Sequence, residues 1–133
     1  MRRVVLATVT LVLVAGFLVL GHLALIEVGR EVVTLRTRRP DGSLQKTRLW
    51  IVDDGGASWL HSGGERWRKR FEGDPIVELE RAGEIRQCRA HAVPGPHPRV
   101  DRLLREKYGL ADRWVRFLAP DNETTLVVRL DPL

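Results

Sequence analysis

Hydrophobic and polar residues divide the chain into two parts with different periods. From Val4 to Ile26 the sequence holds 23 residues with no charged side chain, and Glu27 opens a remainder dense in charge. A helix over that run would reach about 35 Å at 1.5 Å per residue, enough to cross a hydrocarbon core of about 30 Å. Beyond it the apolar positions fall mostly two apart. In Glu31 to Arg38, Val33, Leu35 and Thr37 share one side and Thr34, Arg36 and Arg38 the other, the period of a strand rich in β-branched residues. Pro40-Asp41-Gly42-Ser43 then makes a turn, Pro presetting φ and Gly accepting a positive one. The spacing predicts a second strand over Leu44 to Asp53, hairpin-paired with the first. A tight Asp54-Gly55-Gly56 turn and a third strand, Ala57 to Ser62, follow.

Gly63-Gly64 is expected to break that strand. A short helix over Glu65 to Phe71 would put Trp67 and Phe71 inward and Arg66, Lys69 and Arg70 outward. Gly73-Asp74-Pro75 stops it. Strands over Pro75 to Arg81 and Glu84 to Val93 flank an Ala82-Gly83 turn. Val100, Leu103, Leu104 and Tyr108 lie at helical spacing, with Gly109 placed as a C-cap, and Asp112 is a candidate N-cap for a last helix bearing Trp114, Phe117 and Leu118. Thr124 to Leu130 reads as a closing strand. The predicted fold class is α+β: a small antiparallel barrel with flanking helices, preceded by a single transmembrane helix. Residues 1–26 form the anchor and residues 27–133 one domain of ordinary size.

Charge narrows the partners. The net charge is +5, and removing Arg2 and Arg3 leaves +3 for the domain, since every acidic residue lies beyond position 26. Basic residues alternate with acidic ones and form no stripe, which argues against nucleic acid and fits an anionic small ligand or membrane surface. Cys88, the single cysteine, excludes an internal disulfide and a thiolate cluster. The apolar run is longer than a signal-peptide core and has no Ala-x-Ala-like site before Glu27, so it reads as an uncleaved anchor that associates with membrane through residues 4–26. Arg2 and Arg3 at one end nearly balance Arg30, Arg36, Arg38 and Arg39 at the other, with a slight tilt toward a cytoplasmic domain.

The sequence shows no catalytic side-chain constellation. His61, His91 and His97 lack metal-site spacing, and adjacent strand residues His61 and Ser62 point to opposite faces. What remains is an anion site. Ser62-Gly63-Gly64 joins a strand to a helix start, where open backbone N–H groups and a partial positive charge favour a phosphate, and Arg39 would add a forked donor. Ser-Gly-Gly is more often a plain turn, and the tryptophans at 50, 59, 67 and 114 are by default core or helix-contact residues rather than walls for a flat ring.

The order of these parts resembles the deazaflavin-dependent nitroreductase family of split β-barrels, relatives of the pyridoxamine-phosphate-oxidase-like flavin-binding fold. Arg39 and Gly42 match its first turn, Leu49 to Gly55 its strand and Asp-Gly turn, and Ser62-Gly63-Gly64, Trp67 and Asp74-Pro75 its Gly-rich loop, Trp and following turn. The resemblance implies a groove for the 8-hydroxy-5-deazaflavin coenzyme F-420, with FMN or haem as alternatives. The phosphate would lie by Arg39, Gly42 and the Ser62-Gly63-Gly64 backbone, and the ring beside Trp50 and Trp67. It implies hydride transfer to a quinone-, nitro- or lipid-like acceptor, and a homodimer. Pro40 and Gln45 replace two basic residues of the family's pattern. Arg66, Lys69 and Arg70 are candidate substitutes, although helix-face cations are ordinarily just solvated. The competing expectation is a barrel that has lost its ligand and serves as an interaction module at the membrane.

Overall fold

Two-residue turns organise the sheet. Gly55 and Gly56 both take positive φ, 62° and 77°, so the chain reverses between Asp54 and Ala57 with the twist that a tight hairpin needs. Ala82 and Gly83 do the same between Arg81 and Glu84. The structure is a computed structural model that describes residues 1–63, 65–122 and 125–133, with backbone alone for Ser62, Gly63 and Glu65. It divides into two units, Met1–Arg30 and Glu31–Leu133.

The first unit is helix α1, Arg2–Glu27, with none of its residues buried. It is long and apolar enough to cross a membrane. Its two threonines hide their hydroxyls: Thr8 Oγ1 donates to the Val4 carbonyl and Thr10 Oγ1 to the Leu6 carbonyl, each at 2.9 Å. Such back-bonding satisfies both hydroxyl donors within the apolar helix.

The second unit runs β1 (Val33–Arg38), β2 (Leu44–Leu49), β3 (Ile51–Asp54), β4 (Ala57–Gly63), α2 (Glu65–Gly73), β5 (Ile76–Arg81), β6 (Glu84–Pro94), α3 (Pro98–Tyr108), α4 (Leu110–Leu118) and β7 (Thr125–Pro132). All strand pairs are antiparallel, in the order β2-β1-β5-β6-β7-β4-β3. The strand expected over Leu44 to Asp53 is therefore two strands. Leu49 ends one edge of the sheet and Ile51 begins the opposite edge, with only Trp50 between them. A flat sheet cannot place its two edges one residue apart, so this sheet curls into a seven-stranded half-barrel. No Gly or Pro marks the break. The pattern changes there instead, from alternating polar residues in β2 to the adjacent buried pair Ile51-Val52.

That pair faces two different cores. Ile51 points inside the barrel with Val33, Leu35, Leu60, Leu79, Val128 and Leu130, where Trp67 and Phe71 of α2 close the end. Val52 points outward with Val127, under Val100, Leu104 and Tyr108 of α3. Strands β3, β4 and β7 are thus covered on both faces.

Three expectations are corrected. β4 continues through Gly63, whose backbone pairs with Thr125, so the ladder to β7 carries the strand one residue past the expected break. Asp112 does not cap α4. The helix starts two residues earlier at Leu110, and Asp112 is buried in its first turn against Arg116, whose Nε donates to it at 2.9 Å. Trp114, one of the tryptophans expected by default in the core or a helix contact, lies largely on the surface of α4, as do Phe117 and Leu118. Cys88 is buried in β6, and burial holds its thiol above the ordinary value.

Candidate functional site

The tip of the β1–β2 hairpin sets the first wall of the site. Arg39 N–H donates to the Ser43 carbonyl at 2.8 Å and Gly42 N–H to the Arg39 carbonyl at 2.9 Å, while Gly42 takes φ of 85°. Asp41 Oδ1 accepts the Ser43 N–H at 2.8 Å and rigidifies the turn. Arg39 is thereby held in the lining of a cavity of about 460 Å³, within the range of small-molecule sites.

Helix α2 supplies the opposite wall. Trp67 and Phe71, their ring centroids 5.9 Å apart, anchor one face of the helix in the barrel core. Arg66, just before Trp67, and Lys69 and Arg70, between Trp67 and Phe71, all line the same cavity as Arg39. Arg70 lies over the Trp67 ring at 4.4 Å, and its Nη1 donates to Thr47 Oγ1 at 3.3 Å. Trp67 is itself buried, so its contribution to the cavity is the placement of Arg70. Pro40 and Gln45, where the resembled family has basic residues, also line the cavity, and Thr37 is buried in its wall.

This basin gathers positive charge. Among the described residues, Arg38, Arg39, Arg66, Lys69 and Arg70 line it against one carboxylate, Asp74, which sits 3.8 Å from Arg38. Desolvation, then repulsion by Arg66 and Arg39, holds the Arg70 pKa below the ordinary arginine value. Like charges gathered in this way favour an anion with several oxygens, for which guanidinium forks are well shaped. No His, Met, Cys or Tyr is among the described lining residues, so the basin offers no usual axial ligand for haem iron.

The fold is shared with solved split-barrel proteins. The chain superposes on HutZ, the haem storage protein from Vibrio cholerae, with a TM-score of 0.60 at 16% identity, covering 79% of this chain and 83% of that one. An F-420-H2-dependent reductase, FDR-A, gives 0.54 at 15% identity over 73% of this chain and 92% of its own. A FAD-binding protein from Mesorhizobium loti gives 0.52 at 13% identity, with 83% and 85% covered. No protein-family model matches the sequence, and no curated protein matches it.

The residues singled out in the sequence separate in space. Arg39 lines the basin and Gly42 shapes its hairpin; Trp67 underlies Arg70. Ser62 and Gly63 are paired through the backbone with Leu126 and Thr125, and Gly64 lies outside the described residues. Trp50 is not among the basin's lining residues. It stacks on Tyr108 beside the outer core. The basin's second wall was visible in the sequence only as three outward cations on a helix. What turns them toward Arg39 is the packing of Trp67 and Phe71, a tertiary effect.

Proposed function

We propose that the domain binds a flavin-type coenzyme through its anionic tail and works as an oxidoreductase at a membrane. The deazaflavin F-420 is the first candidate and FMN the second. The observation that carries this reading is the basin itself, in which Arg39 from one hairpin and Arg66, Lys69 and Arg70 from α2 converge on one cavity. The two family cations replaced by Pro40 and Gln45 are answered, on this reading, by the helix. Split-barrel structures described as an F-420-H2-dependent reductase and as a FAD-binding protein support the same class of ligand. In its reduced form such a coenzyme supplies a hydride. The chain's own part is to hold the anionic tail, orient the ring and keep water away, which suits a domain with no evident catalytic side chains. Anchoring by α1 suits an apolar, quinone- or lipid-like acceptor, and a cytosolic coenzyme requires the domain on the cytoplasmic side.

The test is a titration of the full chain in detergent with F-420 and, separately, FMN, followed by tryptophan quenching. Trp67, under Arg70, is the expected reporter. Binding tighter than about 10 μM, equivalent to about −7 kcal/mol, weakened at least tenfold by Arg39→Ala and by Arg70→Ala, supports the proposal. Absence of quenching by either coenzyme overturns it and leaves a barrel that serves as an interaction module.

A further inference from the structure

A second cleft, of about 320 Å³, shares no residue with the basin. It is lined by His61 of β4, His97 before α3, Asp101 in the first turn of α3, and Asp121 and Asn122 before β7. The candidate ligand atoms of His61, Asp101 and Asp121 all lie within 4.8 Å of one another. These residues are 40 and 20 positions apart in the chain, so no local spacing could show them. We propose that this cleft is a binding site for a divalent transition ion of the zinc class, held by His61, Asp101 and Asp121, with His97 as the further ligand.

Three observations carry the assignment. The first is geometry. His61 Nε2 and Asp121 Oδ1 are joined by a hydrogen bond of 3.0 Å, which an ion would replace. Two ligands each about 2.0–2.2 Å from one ion, in octahedral or tetrahedral positions, lie about 3.0–3.5 Å from each other, so this pair already has the spacing of neighbours on a metal.

The second is charge. Arg116 donates through Nε to Asp112 at 2.9 Å, through Nη1 to Asp121 Oδ2 at 2.8 Å and through Nη2 to Asp101 Oδ1 at 3.0 Å. One guanidinium therefore serves three carboxylates, a local deficit of two positive charges when His61 is neutral, in a chain whose net charge is +5. A dication cancels that deficit. Arg116 engages only Oδ1 of Asp101 and Oδ2 of Asp121, leaving Asp101 Oδ2 and Asp121 Oδ1 for the ion. It then acts as the outer partner that orients ligating carboxylates.

The third is His97. Its Nε2 is shielded from solvent yet meets no hydrogen-bond partner among the described residues, although its ring lines the cleft. The Arg116 network explains the carboxylates but not this imidazole. Rotation of its ring toward Asp101, whose N–H bonds the His97 carbonyl at 2.9 Å, would supply a second nitrogen. Imidazoles with carboxylates select zinc-type ions over magnesium or calcium, which take oxygen alone. The ion would clip the start of α3 and the segment before β7 onto β4.

The test uses the full chain in detergent, stripped with EDTA and titrated with Zn2+ against a chromophoric chelator. One ion per chain with Kd below about 1 μM, or about −8 kcal/mol, weakened at least tenfold by His61→Gln, by Asp101→Asn and by Asp121→Asn, is the expected result. Binding that is absent, or undiminished in all three variants, overturns the proposal. Because Asp101→Asn and Asp121→Asn also disturb Arg116, a second measurement uses unaltered protein: Co2+ is added and the histidine ring protons are followed by NMR. Paramagnetic shifts of His61 and His97 support the site. Shifts confined to His91, which lies 3.4 Å from Asp131 on the exposed side of β6, overturn it.

Discussion

Trp50 and Tyr108 lie face to face, ring centroids 4.5 Å apart and planes 9° from parallel. Trp50 is the residue at which the sheet's two edges meet, and Tyr108 is the last residue of α3. Beside the stack, the Tyr108 hydroxyl accepts the Ile51 N–H at 3.0 Å and donates to the Glu31 carbonyl at 2.7 Å. Burial holds that hydroxyl above the ordinary phenol pKa, so it remains a donor at neutral pH. One side chain therefore satisfies backbone groups on both sides of the seam.

Tyr108→Phe keeps the stacked ring and removes those bonds. Leaving the Ile51 N–H buried and unmet should cost about 1–3 kcal/mol. Urea unfolding of the detergent-solubilised chain, followed by tryptophan emission, should show a lower midpoint with an unchanged slope. An unchanged midpoint would show that the seam does not depend on the hydroxyl.

The same seam predicts how stability responds to acid. Arg81 donates to Glu31 Oε2 at 3.1 Å and to Asp53 Oδ1 at 3.0 Å, and Lys107 Nζ pairs with Glu31. The hydrogen bond from Arg81 is the leading reason that both carboxyls are held below their ordinary values of 4.5 and 3.8. As pH falls, the unfolded chain takes up these protons before the folded chain does. The stabilisation is therefore complete above about pH 5, and drains away as pH drops through the depressed folded values. Melting temperature measured from pH 6 to pH 3 should fall with acid, and Glu31→Gln should flatten that fall while lowering stability at pH 6.

Ala82 carries a strain that can be removed. Its φ of 50° is left-handed, a conformation that costs an alanine about 1 kcal/mol and an asparagine less. With Gly83 it forms a two-residue turn whose preferred sequence is Asn-Gly. Ala82→Asn should raise stability by about 0.5–1 kcal/mol, read as a higher melting temperature. A decrease would mean that the β5–β6 turn is set by something other than its own backbone.

The basin should trade stability for anion binding. Arg66→Gln relieves repulsion on Arg70 and should raise the melting temperature of the ligand-free chain slightly. Inorganic phosphate should stabilise the unaltered chain, by about 1.4 kcal/mol at tenfold Kd, and stabilise the variant less. Equal phosphate effects on both would exclude Arg66 from the anion site.

Much of the fold was legible because turns announce themselves locally. Pro40-Asp41-Gly42-Ser43, Gly55-Gly56 and Ala82-Gly83 each reverse the chain where their φ preferences predict, and the period-two pattern of Val33, Leu35 and Thr37 gives the buried side of β1. Three features were not legible. The break at Trp50 has no punctuating residue; it is imposed by β3 pairing with β4 instead of extending β2 along β1. Asp112 looked like a cap because acidic residues favour helix starts, but Arg116, one turn on, draws it into the interior. His61 and Asp121, 60 residues apart, meet only because β4 and β7 are neighbours in the finished sheet. Helix α2 lies between these cases: its inward Trp67 and Phe71 were readable, while the destination of its cations depended on the curl of a sheet not yet built.

The crossing at Trp50 also limits how the half-barrel can breathe. Its two rims are joined by a single residue, so they cannot part at that point without breaking the chain. Any widening of the slit has to be a swing about one α-carbon, small near the Trp50 hinge and larger toward the far ends of β2 and β3. The hairpin tip that carries Arg39 sits just beyond the far end of β2. The wall of the basin with the greatest leverage is therefore the one that reaches toward the helix cations.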